Sequence, residues 1–362
     1  MTNRAYNFNP GPSALPLEVL QQAAEEMTDF EGTGMSVMEL SHRSENYERL
    51  NDNTQQLFRK LYGIPVGYKI LFLQGGASTQ FAMVPMNLLP SGKTAAYVDS
   101  GSWAVKAYKE AKLFGEAFAA VSGKEGGYQE MPDLSKLELP ENTAYLHLTS
   151  NETIEGIQYQ DFPDTGSIPL IGDMSSDIMS RPVDVSRFAL IYGGAQKNLG
   201  PSGVTVVIAK EELVAESPKE LATMLRYDTH VKNNSLYNTP PSFSVYVMNL
   251  VLKWIDAKGG LAAIERMNRE KTDLIYKVID ESDGFYRGHA LPGHRSRMNI
   301  TFRLHEENVE KTFLKAAEEA GFIGLKGHRS VGGCRASTYN AVPYDNCAAL
   351  AQFMSDFRRA SR

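Results

Sequence analysis

Cysteine is almost missing from this chain: Cys334 and Cys347 are the only two in 362 residues. That excludes a disulfide framework and a cysteine-rich zinc site, and no metal is expected. Long apolar runs are missing too, and none approaches the roughly 20 residues that span a bilayer. The opening stretch, MTNRAYNFNPGPSALP, has neither an apolar core nor a cleavage pattern, so the expected address is the cytoplasm. Positive charge is not in excess: 37 Lys and Arg against 43 Asp and Glu leave a net charge of −6. A pI near 5.7 provides no electrostatic footprint for nucleic acid. Repeats and low-complexity tracts are lacking. The remainder is ordinary globular composition, 42% hydrophobic and 22% charged with a mean hydropathy of −0.31. A chain of 362 residues is expected to form two domains.

Pro10, Gly11, Pro12 and Pro16 mark residues 1–15 as an irregular arm, with a helix expected from about Pro16. Short apolar runs then alternate with helical patterns. Strands are expected at Lys69–Leu73, Thr94–Val98, Ala144–Leu148, Ile168–Ile171, Phe188–Tyr192 and Gly203–Ala209. Helices are expected after Gln74–Ser78, running to Leu89, and around Trp103–Phe114. Strands without polar alternation, separated by helices, describe a mostly parallel sheet covered on both faces. From Ser242 the pattern changes. A helical stripe of Val245, Met248, Val251, Leu252 and Ile255 stops at Gly259-Gly260. A second long helix, a strand at Arg297–Leu304, a helix around Glu307–Ala320, a short strand near Cys334–Tyr339 and a terminal helix follow. The expected organisation is an arm (1–15), a large α/β domain (16–258) and a small α+β domain (259–362).

Lys197 carries the strongest chemical signal, in IYGGAQKNLGPSG after a buried-looking strand. A lysine among small residues at a strand end is desolvated, which lowers its pKa and frees an amine nucleophile. Asp173 ends an earlier strand, at an interval that allows one connection and one further strand. The pair suits pyridoxal phosphate: the lysine forms the Schiff base, and the carboxylate keeps the pyridine nitrogen protonated. Taken singly, a solvated loop lysine and a turn aspartate are the alternatives. Gln74-Gly75-Gly76-Ala77-Ser78-Thr79 lies between a strand and a helix, where free N–H groups attract phosphate. It is neither GxGxxG nor a Walker motif. Trp103 falls in the first turn of another helix and offers an indole for stacking, or simply for the core. His42-Arg43, His328-Arg329 and Arg335 supply forks for an anion with carboxylate and phosphate groups, with surface ion pairing as the plainer alternative.

These segments occur in order along nearly the whole chain: FNPGPSALP, SHRS, LQGGAST, SNETIEGIQ, GGAQKNLGPSG, YNTPP and GHRSVGGCRASTYNAVP. The set resembles the class V aminotransferases of the fold-type I pyridoxal-phosphate enzymes, and within them the phosphoserine aminotransferase family. The resemblance implies a large domain with a mostly parallel seven-stranded sheet covered by helices, plus a small C-terminal α+β domain. It implies that Lys197 is the Schiff-base lysine and proton shuttle, that Asp173 pairs with the pyridine nitrogen, and that Trp103 stacks on the ring. Thr153 would bond the ring oxygen, while Ala77, Ser78 and Gln196 hold the cofactor phosphate. Asn238 and Thr239 would reach that phosphate from a neighbouring subunit, which implies a homodimer with shared sites. Arg335 would clamp the substrate α-carboxylate, and His42, Arg43, His328 and Arg329 would receive the distal anion.

The family reaction moves the amino group of L-glutamate to 3-phosphohydroxypyruvate, giving O-phosphoserine and 2-oxoglutarate in serine biosynthesis. Some members also accept a phosphorylated hydroxy-threonine precursor for pyridoxine synthesis. Four rivals stand beside this reading. A cysteine desulfurase or an alanine–glyoxylate-type aminotransferase would share the fold, the former with Cys334 as its nucleophile. A Rossmann oxidoreductase lacks its GxGxxG here. A catalytically silent relative is opposed by the intact Lys197 and Asp173.

Overall fold

The computed structural model describes residues 4–361; Met1, Thr2 and Asn3 of the arm and Arg362 lie outside the described residues. Seven strands form the main sheet: β2 (Tyr68–Leu73), β3 (Thr94–Asp99), β4 (Glu116–Ser122), β5 (Thr143–Thr149), β6 (Leu170–Asp173), β7 (Leu190–Gly194) and β8 (Thr205–Lys210). Their order is β2-β8-β7-β6-β5-β3-β4. All neighbours are parallel except β8, which is antiparallel to both β2 and β7. Two reversals leave β2 parallel to the rest, so the carboxyl ends of six strands share one edge. That edge is where an open α/β sheet holds its ligands.

The unbroken apolar runs follow from burial of both sheet faces. In β2, Ile70 and Phe72 enter one hydrophobic core while the alternate Leu71 and Leu73 enter another. Strand geometry sends successive side chains to opposite faces, so a strand covered on both sides has no polar position to spare. On one face lie α2 (Glu45–Tyr62) and α5 (Ser242–Ala257). The other is covered by α3 (Gly76–Leu88) and α4 (Ser102–Ala111).

Several expectations shift. The arm is not wholly irregular: Tyr6–Asn7 (β1) pairs in parallel with Phe322–Ile323 (β11), because the prolines come only after it. Pro16 directly precedes α1 (Leu17–Glu25). The eighteen-residue α2 was not expected, although its signals are present. Ser44 accepts a hydrogen bond from the Tyr47 N–H, a stripe through Tyr47, Leu50, Thr54 and Phe58 is buried, and Gly63 closes the helix at φ 61°. Strand β4 was likewise not expected; it is the sheet edge, partly exposed and alanine-rich. Strands β6 and β7 begin two residues later than expected, ending on Gly172-Asp173 and Gly193-Gly194.

The C-terminal portion has its own core. Strands β9 (Tyr286–Gly288), β10 (Asn299–Leu304) and β12 (Cys334–Ser337) form an antiparallel sheet in that order. Helices α7 (Glu307–Glu319) and α8 (Tyr344–Ala360) pack on it through edge-to-face aromatics, including Phe302–Phe313 at 6.2 Å between ring centroids and Phe313–Phe357 at 5.2 Å. Helix α6 (Gly260–Asp280) joins the two halves. Its Leu261 and Ile264 belong to the large core, and Ile275, Tyr276 and Ile279 to the small one. No helix among the described residues is long and apolar enough to cross a membrane.

Lys271 on α6 is buried and donates to the carbonyls of Tyr339 (2.6 Å), Asn340 (3.3 Å) and Val342 (3.1 Å). Its ammonium satisfies three acceptors that have no access to water. Lys271→Met keeps the stem and strands those carbonyls. We expect a loss of about 3 kcal/mol of stability, read as a lower midpoint in urea or thermal unfolding. An unchanged midpoint would mean that the carbonyls find other donors.

Candidate active site

The lysine loop leaves β7 and turns back at Gly200 into β8. Lys197 is 9% exposed, and its Nζ donates to Thr153 Oγ1 at 2.8 Å. It lies 5.5 Å from the centroid of the Trp103 ring. Burial pushes the amine from an ordinary 10.5 down to about 8, with the Arg335 guanidinium pushing the same way and the Asp173 carboxylate opposing. An amine so placed is partly neutral near physiological pH.

Asp173, at the end of β6, is buried and accepts from the N–H (2.9 Å) and hydroxyl (2.6 Å) of Ser175. Burial raises its pKa, while Ser175 and the Lys197 charge pull it back. The carboxyl therefore has one oxygen secured and a charge interaction with Lys197. Strand β6 lies between β5 and β7 in the sheet, which sets Asp173 between Ser150 and the lysine loop.

Arg335 on β12 reaches across from the small sheet. It is 6% exposed, its Nη1 donates to the Thr153 carbonyl at 3.1 Å, and its buried Nε has no partner. Thr153 thus touches both Lys197 and Arg335. His328 sits in a turn, its Nδ1 2.7 Å from Ser330 Oγ. Burial lowers the His328 pKa, as do the nearby charges of Arg335, Lys106 and Arg329, against Glu155. Arg329 itself is exposed.

At the end of β2, Gly75 (φ 88°) precedes α3 in a left-handed conformation that glycine adopts without strain. Ala77 and Ser78 fall in the first turn of α3, where backbone N–H groups lack helical acceptors. Gln196 lies beside Lys197, its Oε1 2.5 Å from where a Cβ on Gly194 would be, so Gly194 makes room for it.

Four expected residues do not join this cluster within the chain. Thr239 accepts from Gln74 Nε2 at 3.2 Å through its carbonyl, and its hydroxyl lies 3.3 Å from His42 Nδ1. Asn238 Nδ2 donates to the Thr239 carbonyl, and Arg43 is exposed. His42, Asn238 and Thr239 make a second group, with buried His42 Nε2 unpartnered.

Sequence reasoning missed several contributors. Ser13 of the arm donates to the Lys197 carbonyl at 2.5 Å, and its N–H bonds the Gln196 carbonyl at 3.0 Å. Tyr339 donates to the Pro10 carbonyl at 2.8 Å, tying the arm to the small domain. Glu152 and Glu155 are buried against the start of α4. The arm residues gave no local signal, since their partners are far away in sequence. The two glutamates gave one, as paired acids in a small-residue loop. Cys334 is fully buried in a strand and burial raises its thiol pKa, which removes it as a nucleophile on a mobile loop.

A desolvated lysine, a carboxylate on the adjacent strand, an indole and a helix N-terminus on one sheet edge define a fold-type I pyridoxal-phosphate enzyme. The unpartnered Trp103 Nε1 and Arg335 Nε leave open polar positions around Lys197, and this donor set fits that cofactor. The family model described as Aminotransferase class-V matches residues 5–350. A phosphoserine aminotransferase of Niallia circulans is 63% identical, covering 99% of each chain. The solved structure of phosphoserine aminotransferase from Bacillus circulans subsp. alkalophilus superposes with a TM-score of 0.99 at 63% identity, covering 100% of both chains. A structure of PLP-bound phosphoserine aminotransferase from Trichomonas vaginalis has a TM-score of 0.91 at 38% identity, covering 97% of this chain and 100% of its own. The chain belongs to the class V aminotransferases and, within them, to the phosphoserine aminotransferase family. An alanine–glyoxylate aminotransferase from Nostoc, at 18% identity and a TM-score of 0.76, shares the fold alone.

The position of the Lys197 pKa has a directly observable consequence. Only the neutral amine attacks an aldehyde, and its fraction grows as pH rises toward about 8. Uptake of pyridoxal phosphate by apoenzyme should therefore quicken about tenfold per pH unit below that value and level off above it. Stopped-flow absorbance across the range provides the profile. An inflection near the ordinary 10.5 would show a solvated lysine.

Proposed function

We propose that this chain is a phosphoserine aminotransferase, transferring the amino group of L-glutamate to 3-phosphohydroxypyruvate with release of O-phosphoserine and 2-oxoglutarate. The observation that carries the reading is the Lys197–Thr153–Arg335 contact chain, which sets an amine and a carboxylate receptor on one threonine. Bound pyridoxal phosphate supplies an aldehyde that takes up and releases amines, and a ring that accepts an electron pair.

Lys197 would have two tasks: to hold the cofactor, and, as a neutral amine, to move a proton at the substrate Cα. Asp173 keeps a negative charge at the pyridine nitrogen; Ser175 pins one oxygen and leaves the other for that contact. Trp103 would lie against the ring and exclude water there. Thr153 orients the lysine amine and, through its carbonyl, the Arg335 guanidinium. Ala77, Ser78 and Gln196 receive the cofactor phosphate at the start of α3.

Arg335 would bind the α-carboxylate shared by both substrates. His42, Arg43, His328 and Arg329 would take the distal anion, which is a phosphate in one half-reaction and a γ-carboxylate in the other. One cationic site then serves both, as a two-stage reaction requires. His42, Arg43, Asn238 and Thr239 stand apart from Lys197 in the chain. This supports a homodimer in which they complete the partner's site, beside the exposed Met38 and Tyr237. A cytoplasmic location suits the two unpaired, buried cysteines.

The test is spectral. Purified protein should show a visible cofactor band that glutamate bleaches and 3-phosphohydroxypyruvate restores. Restoration by pyruvate or glyoxylate instead would move the assignment to another aminotransferase. Lys197→Ala should abolish turnover. Arg335→Leu should cost roughly 2–5 kcal/mol of substrate affinity, the usual loss on truncating one partner of a desolvated charge pair. Unchanged affinity for both substrates in that variant would remove Arg335 from the carboxylate site.

A further inference from the structure

The indole of Trp103 has no polar anchor. Its buried Nε1 makes no hydrogen bond, and the charged groups over the ring are the Nζ of Lys106 at 3.9 Å and of Lys197 at 5.5 Å from the centroid. The backbone beneath it is held firmly instead. Trp103 N–H donates to Glu152 Oε2 at 3.0 Å, Ala104 N–H donates to Glu152 Oε1 at 2.9 Å, and the Ser100 hydroxyl adds a bond of 3.1 Å to the same oxygen. Glu155 Oε1 takes the N–H of Ser102 at 3.0 Å and its hydroxyl at 2.6 Å. The N–H groups of Ser102, Trp103 and Ala104 belong to the first turn of α4, which has no intrahelical acceptors for them.

A helix of this kind is normally capped by the side chain that precedes it. Here that residue is Gly101, and a Cβ on it would lie 2.7 Å from Glu152 Cδ. The cap therefore arrives from a different segment, 152–155, and that segment also carries Thr153. One residue grips the backbone of Trp103 while the next bonds the amine of Lys197. Glu152 is fully buried, and Glu155 keeps one buried oxygen, Oε2, unpartnered. So much buried carboxylate for a single helix end exceeds what capping alone needs, since an aspartate or serine at position 101 would supply it.

We propose that Glu152 is a positioning residue that sets Trp103 against the ring face of the cofactor and, through Thr153, fixes its distance from Lys197. The proposal rests on the reading of Lys197 and Trp103 as neighbours of the bound ring. It adds no catalytic group. It makes the geometry of the ring site depend on a carboxylate that touches neither cofactor nor substrate.

Trp103 and Trp254 are the only tryptophans, so Trp254→Phe leaves Trp103 as the sole emitter in the full-length protein. Glu152→Gln in that background keeps the side-chain shape but replaces an accepting oxygen by an amide NH2, which cannot accept from a backbone N–H. We expect pyridoxal phosphate to bind apoenzyme about tenfold more weakly, the usual consequence of losing one accepted hydrogen bond. Quenching of Trp103 emission on binding should shrink, and acrylamide should reach the indole more readily. A folded variant whose affinity and quenching match the parent overturns the proposal, even if its thermal midpoint falls, because that pattern describes a purely structural cap. If Glu152→Gln does not fold, Ser100→Ala withdraws one donor and leaves the glutamate in place. It should shift affinity and quenching in the same direction by about two- to threefold, and parent-like values there overturn the proposal equally. A parent that gains the visible band without any change in Trp103 emission removes the ring-face reading itself, and with it the role of Glu152.

Discussion

Burial of a single amine organises this molecule. Lys197 has lost its water, and most of the unusual features nearby compensate for that loss or exploit it. Thr153 supplies a hydrogen-bond acceptor, Asp173 an opposing charge and Trp103 a π-face. An isolated ammonium in such a place would be costly, so the proton equilibrium shifts and part of the population is neutral. The reactivity of the site thus follows from how thoroughly the fold excludes solvent around one side chain. The arm matters for the same reason: Ser13 bonds the lysine loop, and Tyr339 bonds the arm.

The two-part architecture provides this closure. Lys197, Asp173, Thr153 and Trp103 come from the carboxyl edge of the large sheet, where six strands end. Arg335 comes from a small antiparallel sheet with a separate aromatic core. Helix α6 spans both cores, and its buried Lys271 ties the chain after β12 to the helix itself. The guanidinium therefore reaches Thr153 from the small sheet. Lys197 and Arg335, one from each part, meet on Thr153. This arrangement makes the placement of Thr153 more consequential than its modest side chain suggests.

Local patterns were most legible where burial is two-sided. Runs such as KILFL and FALIY announced themselves because both faces of the sheet are covered. Strand β4 passed unnoticed because an edge strand needs little apolar content. Helix α2 was legible but unread: its Ser44 cap and Gly63 stop bracket a good stripe. The late ends of β6 and β7 follow from backbone pairing. Gly172 and Gly193 have weak strand preference, yet their neighbours supply the hydrogen bonds. At the site, Lys197, Asp173 and Trp103 could be singled out by their position at strand and helix ends. Ser13, Tyr339 and Ser175 could not.

What the sequence determined by itself was the chemistry on offer: an amine among glycines, a carboxylate at a strand end, and arginines with histidines for an anion. Periodicity also determined the layered α/β plan, because patterns of two and of 3.6 residues are local properties. Only the tertiary structure decided which of these groups meet. Thr153 joins Lys197 to Arg335, Glu152 joins the same segment to Trp103, and His42 falls in with Thr239 rather than with the lysine. Contacts across such spans depend on strand order and on the crossing of α6 between cores. Those are set by the whole packed chain, and no local window of residues contains them.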